Sequence, residues 1–203
     1  MNNRRKSIYF SVLVFIIILI LSIVLVNKSF QNSIYQKKSL IKSEFNLIDQ
    51  YGRAVTNETF NGNFTLIFFG FTFCPDVCPN TLNKLATTYD LLDAEVKENL
   101  KVIFITVDPE RDNFNIMNEY ISAFNPEFIG LTGSKRRIQE AADSMGIYFK
   151  KNATNESGEE YLIDHSSIKF LMDKKGNYLA HFSRELTAQE LSQKISQKIG
   201  NSK

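Results

Sequence analysis

The sequence predicts an α/β sandwich, thioredoxin-like in the order of its elements, behind an N-terminal transmembrane helix. Three observations predict it. Residues 8–26 form an uncharged apolar run. Two near-continuous apolar strands, residues 64–71 and 101–107, flank a stretch with helical spacing. The chain's two cysteines lie where the first of those strands gives way to that helix, and a hairpin and a last helix follow later.

The anchor comes first in the chain. Residues 8–26 read IYFSVLVFIIILILSIVLV, 19 residues interrupted only by Ser11 and Ser22. A helix of that length spans roughly 28 Å, near the hydrocarbon thickness of a bilayer. The run is longer than the core of a signal peptide, and Leu25-Val26-Asn27 is a poor cleavage site, so the segment is expected to stay on as an anchor. Residues 1–7 form a short stub in which Arg4, Arg5 and Lys6 cluster, which favours an N-terminus inside. So short a stub leaves no room for a mitochondrial presequence. The expected setting is therefore a bacterial inner membrane with the remaining chain in the periplasm; a mitochondrial inner membrane facing the intermembrane space is the alternative.

Charge separates the two ends. Among 203 residues, residues 1–42 carry seven basic and no acidic groups. Residues 43–203 carry 17 basic and 22 acidic groups, a net charge of −5, which argues against nucleic acid as a partner. With only two Cys and two His, a disulfide-dense scaffold is excluded, and a four-ligand zinc fold would need all four together.

Residues 27–42 are polar and read as a linker, leaving residues 43–203 as the globular domain. Residues 45–49 alternate as a strand, residues 50–52 turn, and residues 53–55 return. Residues 64–71 (FTLIFFGF) and 101–107 (KVIFITV) read as central strands buried on both faces. Between them, Leu82, Leu85, Ala86, Tyr89, Leu92 and Val96 predict one helix over residues 80–96. A second helix is predicted over residues 113–124, capped by Asp112 or Asn113, then a short strand at 127–131 and a helix over 134–145 ended by Gly146. Residues 147–149 are β-like and residues 151–160 read as a polar loop. Residues 167–172 and 178–182 flank a Lys174-Lys175-Gly176-Asn177 hairpin turn. Thr187 and Glu190 form a capping box that opens the last amphipathic helix.

Both cysteines lie in Phe69-Gly70-Phe71-Thr72-Phe73-Cys74-Pro75-Asp76-Val77-Cys78-Pro79. Spaced i,i+4 on a helical turn, their sulfurs share one face, which suits either a disulfide or a pair of converging metal ligands. A helix N-terminus favours thiolate. The spacing differs from that of a Cys-x-x-Cys oxidoreductase. Two soft thiolates and one imidazole would make a three-coordinate set suited to copper, whereas structural zinc wants a fourth ligand. Of the two imidazoles, His165 sits where a polar loop enters a strand, while His181 lies within an alternating strand. A lone histidine is more often a surface or hydrogen-bonded residue than a ligand. Asp164 is either a partner of the imidazole or a polar strand end. In Val107-Asp108-Pro109-Glu110-Arg111-Asp112, turn chemistry explains every residue except Arg111. Met117, Met145 and Met172 read as core filler.

Taken together, the segments from Gly70 to Pro79, from Val107 to Asp112 and from Asp164 to Ser167, with the Leu171-Met172-Asp173-Lys174-Lys175-Gly176 turn, resemble the SenC/Sco family of membrane-anchored copper-binding proteins. The resemblance implies a thioredoxin-like fold and copper held by Cys74, Cys78 and His165. It also implies work in the assembly of cytochrome c oxidase, delivering copper to the binuclear site of subunit II or keeping that site's cysteines reduced. No copper donor is implied. Asn113-Phe114 and Lys174 depart from the family pattern at a helix start and a turn, away from the three ligands. The leading expectation is a metallochaperone without enzymatic activity. The alternative is a thiol–disulfide oxidoreductase using Cys74 and Cys78, and a peroxidase of similar fold is a distant third.

Overall fold

A computed structural model describes residues 15–29, 41–153, 161–165 and 167–202, the side chains of residues 153 and 165 excepted. The chain divides into two units between Leu40 and Ile41. In the first, residues 15–29 are helical (α1) with exposed apolar side chains from Phe15 to Val26. Among the described residues no helix is long and apolar enough to cross a membrane. Residues 8–14 of the expected span lie outside the described residues.

The second unit is the expected thioredoxin-like α/β sandwich. Its elements are β1 (Asn46–Asp49), β2 (Ala54–Thr56), a 3-10 turn (Asn57–Phe60), β3 (Phe64–Gly70), α2 (Val77–Asp90), α3 (Ala94–Asn99), β4 (Leu100–Thr106), α4 (Phe114–Ser122), β5 (Ile129–Thr132), α5 (Lys135–Ser144), β6 (Phe149–Ala153), β7 (Tyr161–His165), β8 (Lys169–Met172), β9 (Tyr178–Phe182) and α6 (Ala188–Gly200). Seven strands form one mixed sheet in the order β2-β1-β5-β4-β3-β8-β9, while β6 and β7 make a separate antiparallel ribbon.

The two apolar runs become the central pair. β3 and β4 are parallel, with Ile67 opposite Ile103 and Phe68 opposite Phe104. A period of two then sends Ile67, Phe69, Ile103 and Ile105 to one face and Leu66, Phe68, Val102 and Phe104 to the other. Both faces are covered, so neither strand needs a polar side, and burying each large side chain contributes about 1.5–3 kcal/mol. On the first face lie Ile138, Ala141 and Ala142 of α5 and Tyr161 and Ile163 of the ribbon. The second face receives Leu82 and Leu85 of α2, Met117 and Ile121 of α4, and Leu191, Ile195 and Ile199 of α6.

Local signals place the helix ends. Asn113, not Asp112, caps α4, its side chain accepting from the Asn115 and Ile116 amides. Ser134 caps α5, and the Thr187/Glu190 capping box opens α6. Gly146 follows α5 with φ of 66°, the left-handed conformation that glycine supplies. Met117, Met145 and Met172 are core residues, as expected.

Two expectations change. The helix expected over residues 80–96 starts earlier, at Val77, and breaks after Asp90. Leu92 is buried at the break, and the extended Asp93 carbonyl takes the Val96 and Lys97 amides to start α3. The apolar spacing there reports a shared core across two helices. The loop expected over residues 151–160 instead begins as strand, with Lys151 opposite Ile163 and Asn152 opposite Leu162. Tyr161 and Ile163 are buried while Leu162 and Asp164 are exposed, which is strand alternation. Residues 154–160 lie outside the described residues.

The chain joins this domain at one end of the sheet. Lys42 bridges to Asn177, and the Ser43 amide donates to Gly176 O at 3.1 Å. That turn lies beside the start of β3, because Met172 pairs with Thr65. The cysteine turn follows the other end of β3, about 20 Å away at roughly 3.3 Å per residue.

Candidate metal centre

β3 ends at Gly70, and the chain turns through residues 71–76 before α2 begins. Pro75 and Pro79 stiffen this turn; Pro79 sits in the first turn of α2, where a missing amide hydrogen breaks no helical bond. Cys78 faces inward from α2 and is fully buried. Cys74 is half-buried and packs against the hydrophobic clusters of both faces, so it stands where the two layers meet at the end of the sheet. The Cys78 amide donates to Cys74 Sγ at 3.4 Å, which places that sulfur at the N-terminus of α2. Cys74 and Cys78 are not bridged to each other. The hydrogen bond with the Cys74 side chain, reinforced by burial, pushes the Cys78 thiol up from its ordinary value.

The close fit of Cys78 depends on Gly70. A Cβ at that position would lie 2.7 Å from Cys78 Sγ and 2.7 Å from Phe104 Cε2. Tyr120 lies beside Phe104, with ring centroids 6.0 Å apart. The Tyr120 hydroxyl is buried and, among the described residues, has no hydrogen-bond partner. Burial first, then the nearby Cys78, Cys74 and Asp112, pushes this phenol up.

The segment after β4 holds the cysteine turn in place. Asp112 is fully buried. Its carboxylate accepts from the Thr72 amide at 3.0 Å, the Thr72 hydroxyl at 2.5 Å and the Thr106 hydroxyl at 2.6 Å. Burial outweighs these bonds and raises its pKa. Arg111, which turn chemistry left unexplained, pairs with the buried Asp108 carboxylate. Its guanidinium lies 4.7 Å from the Phe73 ring and 3.7 Å from the Tyr161 ring. Tyr161 in turn donates its hydroxyl to Asp108 at 2.7 Å. Burial and that bond push its phenol up to about 12. Asp112, Arg111 and Tyr161 are the residues sequence reasoning did not assign to the site. The one signal was Arg111, a residue left over once turn and cap roles were assigned.

His165 is the last residue of β7, its backbone opposite Phe149, and its side chain lies outside the described residues. Among the described residues no three His, Cys, Asp or Glu side chains converge on a metal-sized site. Asp164 accepts from Asn152 Nδ2 at 2.6 Å across the ribbon. His181 is on edge strand β9, with Nδ1 2.6 Å from the Tyr178 hydroxyl. Its ring lies tilted 6.4 Å from that of Phe170, which belongs to the face opposite the one that buries Cys78. The two sulfurs are therefore the soft donors that the described side chains bring together.

Comparison with known proteins gives a consistent result. The SCO1/SenC family model matches residues 34–200. An SCO2-like protein of Rickettsia prowazekii is 39% identical over 161 residues, covering 79% of this chain and 78% of that one. Protein sco1 of Schizosaccharomyces pombe is 41% identical over 153 residues, 74% of this chain and 58% of that one. Among solved structures, copper-bound ScoI of Arabidopsis thaliana aligns with a TM-score of 0.72 and 36% identity, over 79% of this chain and 99% of that one. Copper-bound yeast Sco1 aligns at 0.73 with 34% identity, over 79% and 88%.

Proposed function

The chain belongs to the SCO1/SenC family, and from that premise we propose that it is a copper metallochaperone that binds its cargo through Cys74, Cys78 and His165. The delivery target is the binuclear copper site of cytochrome c oxidase subunit II. The run from Ile8 to Val26 holds the chain in a bacterial inner membrane as a single-pass anchor, with the domain in the periplasm. The observation that carries this reading is the thiol pair. Two soft donors lie at one helix N-terminus, one of them half-buried at the end of the sheet. The copper-bound relatives at 36% and 34% identity support the same cargo. Three ligands leave one side open, which suits transfer by ligand exchange better than storage.

A second reading is favoured by the asymmetry of the pair. The more accessible Cys74 receives an amide hydrogen bond, while Cys78 is fully buried, as suits an attacking and a resolving thiol. Here the Cys74 thiolate attacks a client disulfide to give a mixed disulfide and one client thiolate. Cys78 then displaces the second, leaving Cys74–Cys78 oxidised and the client dithiol reduced. Copper loading requires the reduced pair, so the two roles are compatible.

The test is Cu(I) titration of the reduced full chain in detergent against a competing chelator. One copper per chain is expected, lost in Cys74→Ala or Cys78→Ala and bound about tenfold or more weakly in His165→Ala. A His165→Ala protein with parental affinity would remove the three-ligand site. Client disulfide reduction by that metal-free variant would favour the second reading.

A further inference from the structure

The ribbon of β6 and β7 does not rest flush on the domain. A cleft of about 220 Å³ opens between it and α5, floored by Val107, Ile138, Phe149 and Ile163. Apolar packing by Phe149, Tyr161 and Ile163 stops at this cleft, and polar contacts beside it add to the ribbon's placement. The Lys151–Glu110 ion pair at 3.3 Å is solvent-exposed and contributes little. The stronger contacts converge on Tyr161. Its hydroxyl bonds to Asp108, its backbone carbonyl accepts from Arg111 Nη2 at 3.3 Å, and its ring lies against the Arg111 guanidinium. The same guanidinium reaches the Phe73 ring, one residue before Cys74. Phe73 is 56% exposed and makes this contact at the surface, whereas the Arg111 side chain is 24% exposed and held by a carboxylate that is 2% exposed.

We propose that Arg111 is a positioning residue, its guanidinium bridging Phe73 on the thiol turn and Tyr161 on the ribbon so as to set the spacing between Cys74 and the strand that ends in His165. The proposal deepens the metallochaperone reading and rests on its assignment of His165 as the third ligand. A planar guanidinium suits the role because it stacks on two rings while its edge holds Asp108 and a carbonyl; an ammonium cannot do all of this at once. Arg111 acts by limiting how far the ribbon end can drift from the thiol turn.

The experiment compares Cu(I) affinity of the reduced full chain, in detergent, for the parent, Arg111→Met, His165→Ala and the double variant. Arg111→Met is expected to weaken binding about 10- to 100-fold when His165 is present and by no more than about 2-fold when it is absent. Phe73→Leu, at an exposed position that spares the core, is expected to give a smaller loss with the same dependence on His165, and it carries the test if Arg111→Met does not fold. Parental affinity in both Arg111→Met and Phe73→Leu would overturn the proposal, as would a loss of equal size with and without His165. If His165→Ala alone binds as tightly as the parent, the ligand set fails first and the proposal fails with it.

Discussion

Replacing Gly70 with Ala tests how tightly the thiol site is packed. The added methyl would sit 2.7 Å from Cys78 Sγ and 2.7 Å from Phe104 Cε2, with Phe104 Cζ at 3.1 Å. Comfortable non-bonded separations are about 3.5–4.0 Å, so both neighbours must give way by about 1 Å. Neither is free to do so. Cys78 is fully buried on α2, and Phe104 is buried against Phe68 with ring centroids 5.7 Å apart. Gly70 does not adopt a left-handed conformation, so backbone strain adds nothing. Overpacking of this kind costs about 1–3 kcal/mol, which for a domain of this size lowers the melting temperature by about 2–12 °C. Urea unfolding of the reduced chain measures the loss. In Gly70→Ala/Cys78→Ala the sulfur contact is gone and the Phe104 contact remains, so the pair should be less destabilising than the sum by about 1 kcal/mol. Copper affinity of Gly70→Ala should also fall, because relief of the clash moves Cys78. A Gly70→Ala protein as stable as the parent, or strict additivity with Cys78→Ala, would refute the packing argument.

Asp112→Ala leaves the Thr72 amide and two threonine hydroxyls without their acceptor and should destabilise by about 3 kcal/mol, whereas Asp112→Asn, which supplies one acceptor and one donor, should stay within about 1 kcal/mol of the parent. The folded protein holds the Asp112 proton more tightly than the unfolded chain, so stability should decline as pH rises from the ordinary value of 3.8 through the raised one; Asp112→Asn should lack that decline in urea midpoints. Lys169 is buried on β8 between Phe68 and Phe182, and burial, then Lys84, lowers its pKa from 10.5 to about 8. The unfolded chain binds more protons between those values, so stability should climb as pH rises from about 8 to 10.5, and Lys169→Met should abolish the climb and raise stability at pH 7. An unchanged slope would show that the ammonium is better solvated than its burial indicates.

Much of the fold was legible because the physics was local. β3 and β4 announce themselves as apolar runs, since both of their faces are covered. Asn113, Ser134 and Thr187 sit where helices need oxygen acceptors, and each caps one. The ribbon was half hidden, because β6 runs through the polar Lys150, Lys151 and Asn152 and becomes a strand only through pairing with β7. The thiols were legible as a pair because their spacing and the turn that holds them are contiguous in sequence. Their supports were not. Asp112 reads as a helix cap until the fold brings Thr72 to it, and Arg111 acquires meaning only when Tyr161, fifty positions later, arrives beside it.

The incoming chain fastens to the domain beside Gly176 and Asn177, and the sulfurs stand at the opposite pole. Because residues 42 and 43 are fastened beside the Gly176 turn, their backbone takes no part in the walls of the thiol site. On the proposed chaperone reading, a recipient would meet Cys74 at an end of the sheet that residues 42 and 43 do not line.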